Sequence, residues 1–67
     1  SKRARIVLNQ DIAEGDTTFY DALKGTIIMT GDVVVTQEQG EIFADYLKVF
    51  TNLGVAELQG NVRTKQN

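Results

Sequence analysis

The side chains of this 67-residue chain that could do chemistry are few: nine carboxylates, seven lysines and arginines, and one serine. Cysteine and histidine are both absent, which removes thiol nucleophiles, disulfides, Cys/His zinc centres and imidazole acid–base catalysis. Ser1 has no histidine to activate it, so a catalytic triad cannot be assembled. Asp11, Glu14 and Asp16 cluster around Gly15 in a pattern loosely like a calcium loop. The alternating ligand spacing and the closing bidentate glutamate of such a loop are missing, so a solvated turn is the expectation there. A carboxylate pair of the glycosidase kind needs two acids singled out from the nine, and spacing singles out none. Gly31 and Gly60 fall in no GxGxxG or phosphate-loop pattern. The expectation is a protein that is not an enzyme and that uses no cofactor or metal.

Charge is placed unevenly. Lys2, Arg3, Arg5, Arg63 and Lys65 lie close to the two ends, while between Ile6 and Val62 nine acids face only Lys24 and Lys48. A nucleic-acid binder carries a basic stripe along its body; this acidic body argues against such a partner. Basic ends of this kind read as solvated tails. Apolar runs are far shorter than the roughly 20 residues of a membrane-spanning helix. A chain of this length buries about 60% of the surface it exposes when unfolded, which leaves stability marginal. With disulfides and zinc excluded, association or a longer parent chain is the expected source of additional stability. Residues 1–67 read as a single module, whole or part of a longer domain.

The elements that hold these groups are strands. Proline is absent, and the six glycines, at 15, 25, 31, 40, 54 and 60, cut the chain into short segments of the kind that hairpins join. Alternation of period two puts Ile27, Met29, Gly31, Val33 and Val35 on one face, with Ile28, Thr30, Asp32 and Val34 on the other. Ile42 and Ala44 share a face, as do Leu47 and Val49, and the phase slips at Asp45–Tyr46, which predicts a bend. Ala56, Leu58, Gly60 and Val62 form another such face. Shorter strands are expected at Arg5–Leu8 and Thr17–Tyr20. A helix over Gln39–Leu53 competes, because Ile42, Phe43, Tyr46, Leu47, Val49, Phe50 and Leu53 also fit a 3.6-residue stripe. The β-branched and aromatic content of that window favours the strand.

An internal repeat carries more information than any single motif. A shift of 29 residues lays Thr26–Gln37 over Val55–Gln66, with glycine, valine and glutamine retained, Asp32 over Asn61 and Met29 over Leu58. Each copy reads as two strands joined at Gly-[Asp/Asn], where glycine permits a sharp corner and Asp or Asn tolerates the dihedrals that follow. A period of this length signals stacked repeats, each burying its apolar face on its neighbours.

Residues 18–37, Thr-Phe-Tyr-Asp-Ala-Leu-Lys-Gly-Thr-Ile-Ile-Met-Thr-Gly-Asp-Val-Val-Val-Thr-Gln, resemble the repeating unit of the OstA/LptA family of lipopolysaccharide-transport proteins. The continuation Glu41-Ile42-Phe43-Ala44-Asp45-Tyr46-Leu47-Lys48-Val49, and the next start at Leu58-Gln59-Gly60-Asn61-Val62, follow the same pattern, so the resemblance spans about residues 16–66. Met29 and Asp32 stand where the unit usually has Leu and Asn, and the chain holds fewer repeats than family members typically carry. The resemblance implies an all-β fold, an open β-jellyroll of V-shaped antiparallel strand pairs stacked into a trough. Asp45 then falls where the unit bends and is expected to form a turn rather than catalyse. The implied role is that of a periplasmic transport module whose trough takes the acyl chains of lipopolysaccharide. Ile27, Met29, Val33, Val35, Ile42, Ala44, Leu47, Val49, Ala56, Leu58 and Val62 are the residues expected to face them. Read from the residues alone, those same faces fit a packed β core that binds nothing.

A stack cut open at both ends leaves unpaired backbone groups that must be blunted or paired. The resemblance implies pairing end to end with copies of the chain or with neighbouring jellyrolls of a transport bridge, by strand addition. The outermost strands are expected near Arg5–Leu8 and Val62–Lys65, where like charge on both would disfavour indiscriminate self-pairing. The alternative from a different class is a self-associating structural β-repeat scaffold with no lipid ligand.

Overall fold

A computed structural model describes residues 3–67. All regular structure is β: β1 (Ala4–Leu8), β2 (Asp11–Gly15), β3 (Thr17–Asp21), β4 (Thr26–Gln37), β5 (Gly40–Phe50), β6 (Val55–Gln59) and β7 (Arg63–Gln66). The window open to a helix, Gln39–Leu53, is β5 and the turn after it. Its β-branched and aromatic side chains line both faces of a pleated strand, and the helical stripe is coincidental. The acidic cluster is not a turn. Asp11–Gly15 is strand β2, with Ala13 fully buried and Glu14 on the other face. Small residues, rather than long aliphatic ones, occupy its inward positions, which is why its alternation was hard to read.

The strands form one open antiparallel sheet, folded over on itself. Every pairing is antiparallel. One arm holds β1, β2, the second half of β4, the first half of β5, and β7. The other holds β3, the first half of β4, the second half of β5, and β6. β4 and β5 run through both arms and bend between them. In β4, Gly31 and Asp32 together oppose the single residue Asp45 of β5, a bulge between the pairs Thr30↔Tyr46 and Val33↔Ala44. This is the expected corner, drawn within one bent strand rather than between two. The phase slip at Asp45–Tyr46 falls there too, since Ala44 and Leu47 both point inward.

The 29-residue repeat is a repeat of corners. Gly31 and Asp32 have φ of 86° and 46°, and Gly60 and Asn61 have 82° and 51°. The N–H of Asp16 donates to the Gly31 carbonyl at 3.0 Å, and the N–H of Asp45 donates to the Gly60 carbonyl at 2.8 Å. A Cβ on Gly31 would lie 2.4 Å from Asp16 Oδ2, and one on Gly60 would lie 2.7 Å from Asp45 Oδ2. Glycine is therefore required twice over, by the left-handed backbone and by the carboxylate packed against it. Sequence reasoning found the Gly-[Asp/Asn] half of this corner and missed Asp16 as the counterpart of Asp45.

The arms meet through their inner faces. Ala13, Val33 and Val35 from one arm pack on Met29, Leu47 and Val49 from the other, with Ala4, Ile6, Leu8, Ile27, Ile42 and Leu58 around them. Met29 is 0% and Leu47 1% exposed. Near the corners the space between the arms is filled, at the close packing of any protein interior.

Candidate functional site

The site is built from cross-strand rows on the inner face. Register places Met29, Leu47 and Leu58 in one row, and Ile27, Val49 and Ala56 in the next one outward from the corner. On the facing arm, Val33 lies opposite Ala44, and Ala13, Val35 and Ile42 form a row that ends on Thr64. Met29, Val33, Val35, Ala44, Leu47 and Val49 are buried in the core, and Ile27, Ile42 and Leu58 are half-buried. Ala56 is exposed, and Val62, just past the second corner and before β7, is 51% exposed. The eleven residues expected to face a ligand thus divide into a packed floor and an accessible rim.

Beyond the packed floor the arms diverge. A cleft of about 460 Å³ opens at the mouth of the V, lined by Ile27, Val49 and Ala56 together with Val7, Leu8 and Val55, and by Asn9, Asp11, Thr51 and Gly54. Its volume is within the range of about 300–1,000 Å³ of sites that hold small molecules. The contribution of β1 was missed from sequence: Val7 and Leu8 were recognised as strand residues but given no part in the trough. Val55 enters because it starts β6 beside the turn, where strict alternation of faces has not yet taken hold.

The turns hold the rim in place. Thr51 donates to the Gly25 carbonyl through its N–H at 2.9 Å and its hydroxyl at 3.0 Å, tying the β5–β6 turn to the β3–β4 turn. The Asp21 carboxylate accepts from the N–H groups of Leu23 and Lys24, both at 3.1 Å, an Asx arrangement that fixes the second turn. Asp11 is the only charged residue on the cleft wall, and Gln37 Nε2 donates to its carboxylate at 3.2 Å. The wall has no cation to hold a phosphate. Its chemistry fits a neutral apolar chain whose polar head stays outside.

The charged groups sit elsewhere, on the corners and outer faces. Arg3 closes the first corner: its guanidinium donates to the carbonyls of Glu14 and Gly31, each at 3.3 Å, and of Asp32, and lies 3.9 Å from the Asp16 carboxylate. At the second corner Asn61 Nδ2 donates to Asp45 Oδ2 at 2.9 Å. On the outer face the Lys48 ammonium stands over Phe50 and the Arg63 guanidinium over Phe43, 5.1 and 5.6 Å from the ring centroids. Among the described residues no three acids come together to hold a metal ion, and no helix is long and apolar enough to cross a membrane.

No curated protein and no solved structure gives a significant match to the chain. Its sequence does match the family model LptD_N, described as LptA/(LptD N-terminal domain) LPS transport protein, over residues 11–67. That span takes in both glycine corners, the bent strands β4 and β5, and most of the cleft wall. With the open antiparallel sheet and its repeated corners, the match identifies the chain as a member of the LptA/LptD N-terminal domain family of lipopolysaccharide-transport proteins.

Proposed function

We propose that this domain works in the periplasm as a passive carrier: it shields lipopolysaccharide acyl chains between its arms and passes them along aligned troughs. The observation that carries this reading is the cleft at the mouth of the V, apolar on both walls and continuous with the core. Removing apolar surface from water is worth roughly 25 cal/mol per Å², so a few methylenes seated there give useful affinity with no chemistry. The domain needs no cofactor and catalyses nothing; direction of transport comes from partners. Those partners are other jellyrolls of a transport bridge, or further copies of the chain, joined through the end strands.

A photoreactive residue at position 56, with position 57 as the control, tests the carrier role. Ala56 lines the cleft, while Glu57 is the next residue along β6 and points to the opposite face. Crosslinking to lipopolysaccharide at 56 and not at 57 is the expected result. Equal labelling at both would mean surface adsorption and would sink the carrier reading.

The packed floor favours a second reading, the self-associating scaffold with no lipid ligand. Met29, Val33 and Leu47 already satisfy one another. Absence of labelling at either position, in a folded protein that still self-associates, selects the scaffold.

A further inference from the structure

β1 stands on β2 as β7 stands on β5. Leu8↔Asp11, Val7↔Ile12, Ile6↔Ala13 and Arg5↔Glu14 reproduce Gln66↔Gly40, Lys65↔Glu41, Thr64↔Ile42 and Arg63↔Phe43. Residues 58 apart on the edge strands meet residues 29 apart on their partners, so β1 holds the place of a strand two repeats further along. Direction follows as well. β1 and β7 both run from corner to tip, so a β7 laid against the outside of β1 would pair parallel, whereas laid on β2 it pairs antiparallel, like every other pair in the sheet.

The two ends of the stack differ. At the C-terminal end β6 and β7 finish flush on β5. At the other end β1 projects one strand beyond β3. A second copy arriving with β6 on β3 would bring its β7 onto β2, where β1 sits. Extended by the register of β4 on β5, that docking sets Ala56 against Tyr20, Leu58 against Thr18, and Arg63 against Glu14. Tyr20 is 61% exposed at one end and Val62 half-exposed at the other, so each end presents inner-face surface for the other to cover. The seated β1 already sets Arg5 against Glu14, the same charge pairing that Arg63 would make.

We propose that β1 is a built-in cap, and that the end it covers, β2 with β3, is the docking surface for the β6–β7 edge of a second copy. Two-armed joining requires β1 to swing out about the Asn9–Gln10 turn. The Arg3 contacts with Asp16 and the corner carbonyls latch it in place. The proposal rests on the end-to-end joining proposed above and specifies which edges meet and what keeps them apart.

The test is sedimentation over a concentration series at low salt, with folding checked by circular dichroism. Val7 and Ile12 lie directly opposite each other, and the chain has no other cysteine, so V7C/I12C locks β1 when oxidised. Association is expected to be lost in the oxidised protein and restored on reduction. Arg5→Glu and Arg63→Glu, the same reversal at positions 58 apart, are expected to act in opposite directions. The first loosens the cap and strengthens association, the second weakens it, each by roughly fivefold for a cross-strand charge reversal. Association that ignores the lock, or reversals that shift it the same way, overturns the cap and leaves end-to-end joining standing. If no variant associates at any concentration, including Arg5→Glu, end-to-end self-joining fails and the cap with it.

Discussion

The two corners are built alike but closed differently, and exchanging one residue tests why. At the second corner Asn61 donates to the Asp45 carboxylate at 2.9 Å. At the first, Asp32 faces Asp16, and two carboxylates cannot make that bond; the Arg3 guanidinium supplies the donors instead. Asp32→Asn should restore the missing bond. A hydrogen bond to a charged acceptor is worth about 1.5–3 kcal/mol when well sheltered. These groups are exposed, where such interactions fall to about 1 kcal/mol or less, so a gain of about 1 kcal/mol is expected. Asparagine also accepts the φ of 46° at this position at least as well as aspartate. For a domain of this size, 1 kcal/mol moves Tm by about 4–8 °C. The reverse change, Asn61→Asp, removes a bond and adds a like charge, and no arginine meets that corner among the described residues. It should cost about 1.5–2 kcal/mol. Its repulsive part should fade in 1 M salt, where the screening length is about 3 Å, while the lost hydrogen bond remains. Urea denaturation followed by circular dichroism, at low and high salt, measures both. An Asp32→Asn protein no more stable than the parent would refute the equivalence of the corners and the role given to Arg3.

Glycine replacements should separate strain from crowding. Gly31→Ala meets both the left-handed backbone and the Asp16 carboxylate and should cost more than about 2 kcal/mol. Gly54→Ala has the left-handed backbone but nothing within 4 Å, and should cost about 1–2 kcal/mol; thermal melts rank the two. Met29→Ala, at a fully buried position, should cost about 2–5 kcal/mol by the same melts. Ala56→Asp should leave the melting temperature within a few degrees, because the side chain is exposed. It should also abolish binding of an aliphatic fluorescent probe to the cleft, measured by titration.

How far the sequence disclosed all this depended on the side chains available in each segment. β4 announces itself because Ile27, Met29, Val33 and Val35 alternate with polar residues, and the corner within it because Gly31–Asp32 recurs 29 residues later. β2 was hidden: its inward residues are alanine and glycine, which carry little hydrophobic signal, and its outward Glu14 joined two flanking acids to imitate a loop. The end strands were half legible. β1 and β7 carry the terminal basic residues, but β3 and β6, the edges of the other arm, look like interior strands until the fold-over is known. For the site, alternation reported which residues point inward and nothing about the gap between the arms. Met29 and Ala56 share a pattern, yet one is sealed in the floor and the other is open at the mouth. That difference comes from distance to the corner, a property of the folded V and not of the local pattern.

The alternation of corner types limits how such a molecule can change length. One rung turns on a single aspartate, Asp16 or Asp45, and the next on a pair, Gly31–Asp32 or Gly60–Asn61. The aspartate N–H needs the glycine carbonyl of a two-residue corner beside it. Inserting or deleting one rung would set like corners side by side, reverse every later strand and leave those donors without acceptors. Gain or loss in multiples of 29 residues preserves both the strand directions and the corner bonds. At roughly 4.8 Å per strand, each such step lengthens the trough by about 10 Å. Chains built on this plan should therefore differ in reach by discrete increments, with their interiors in phase.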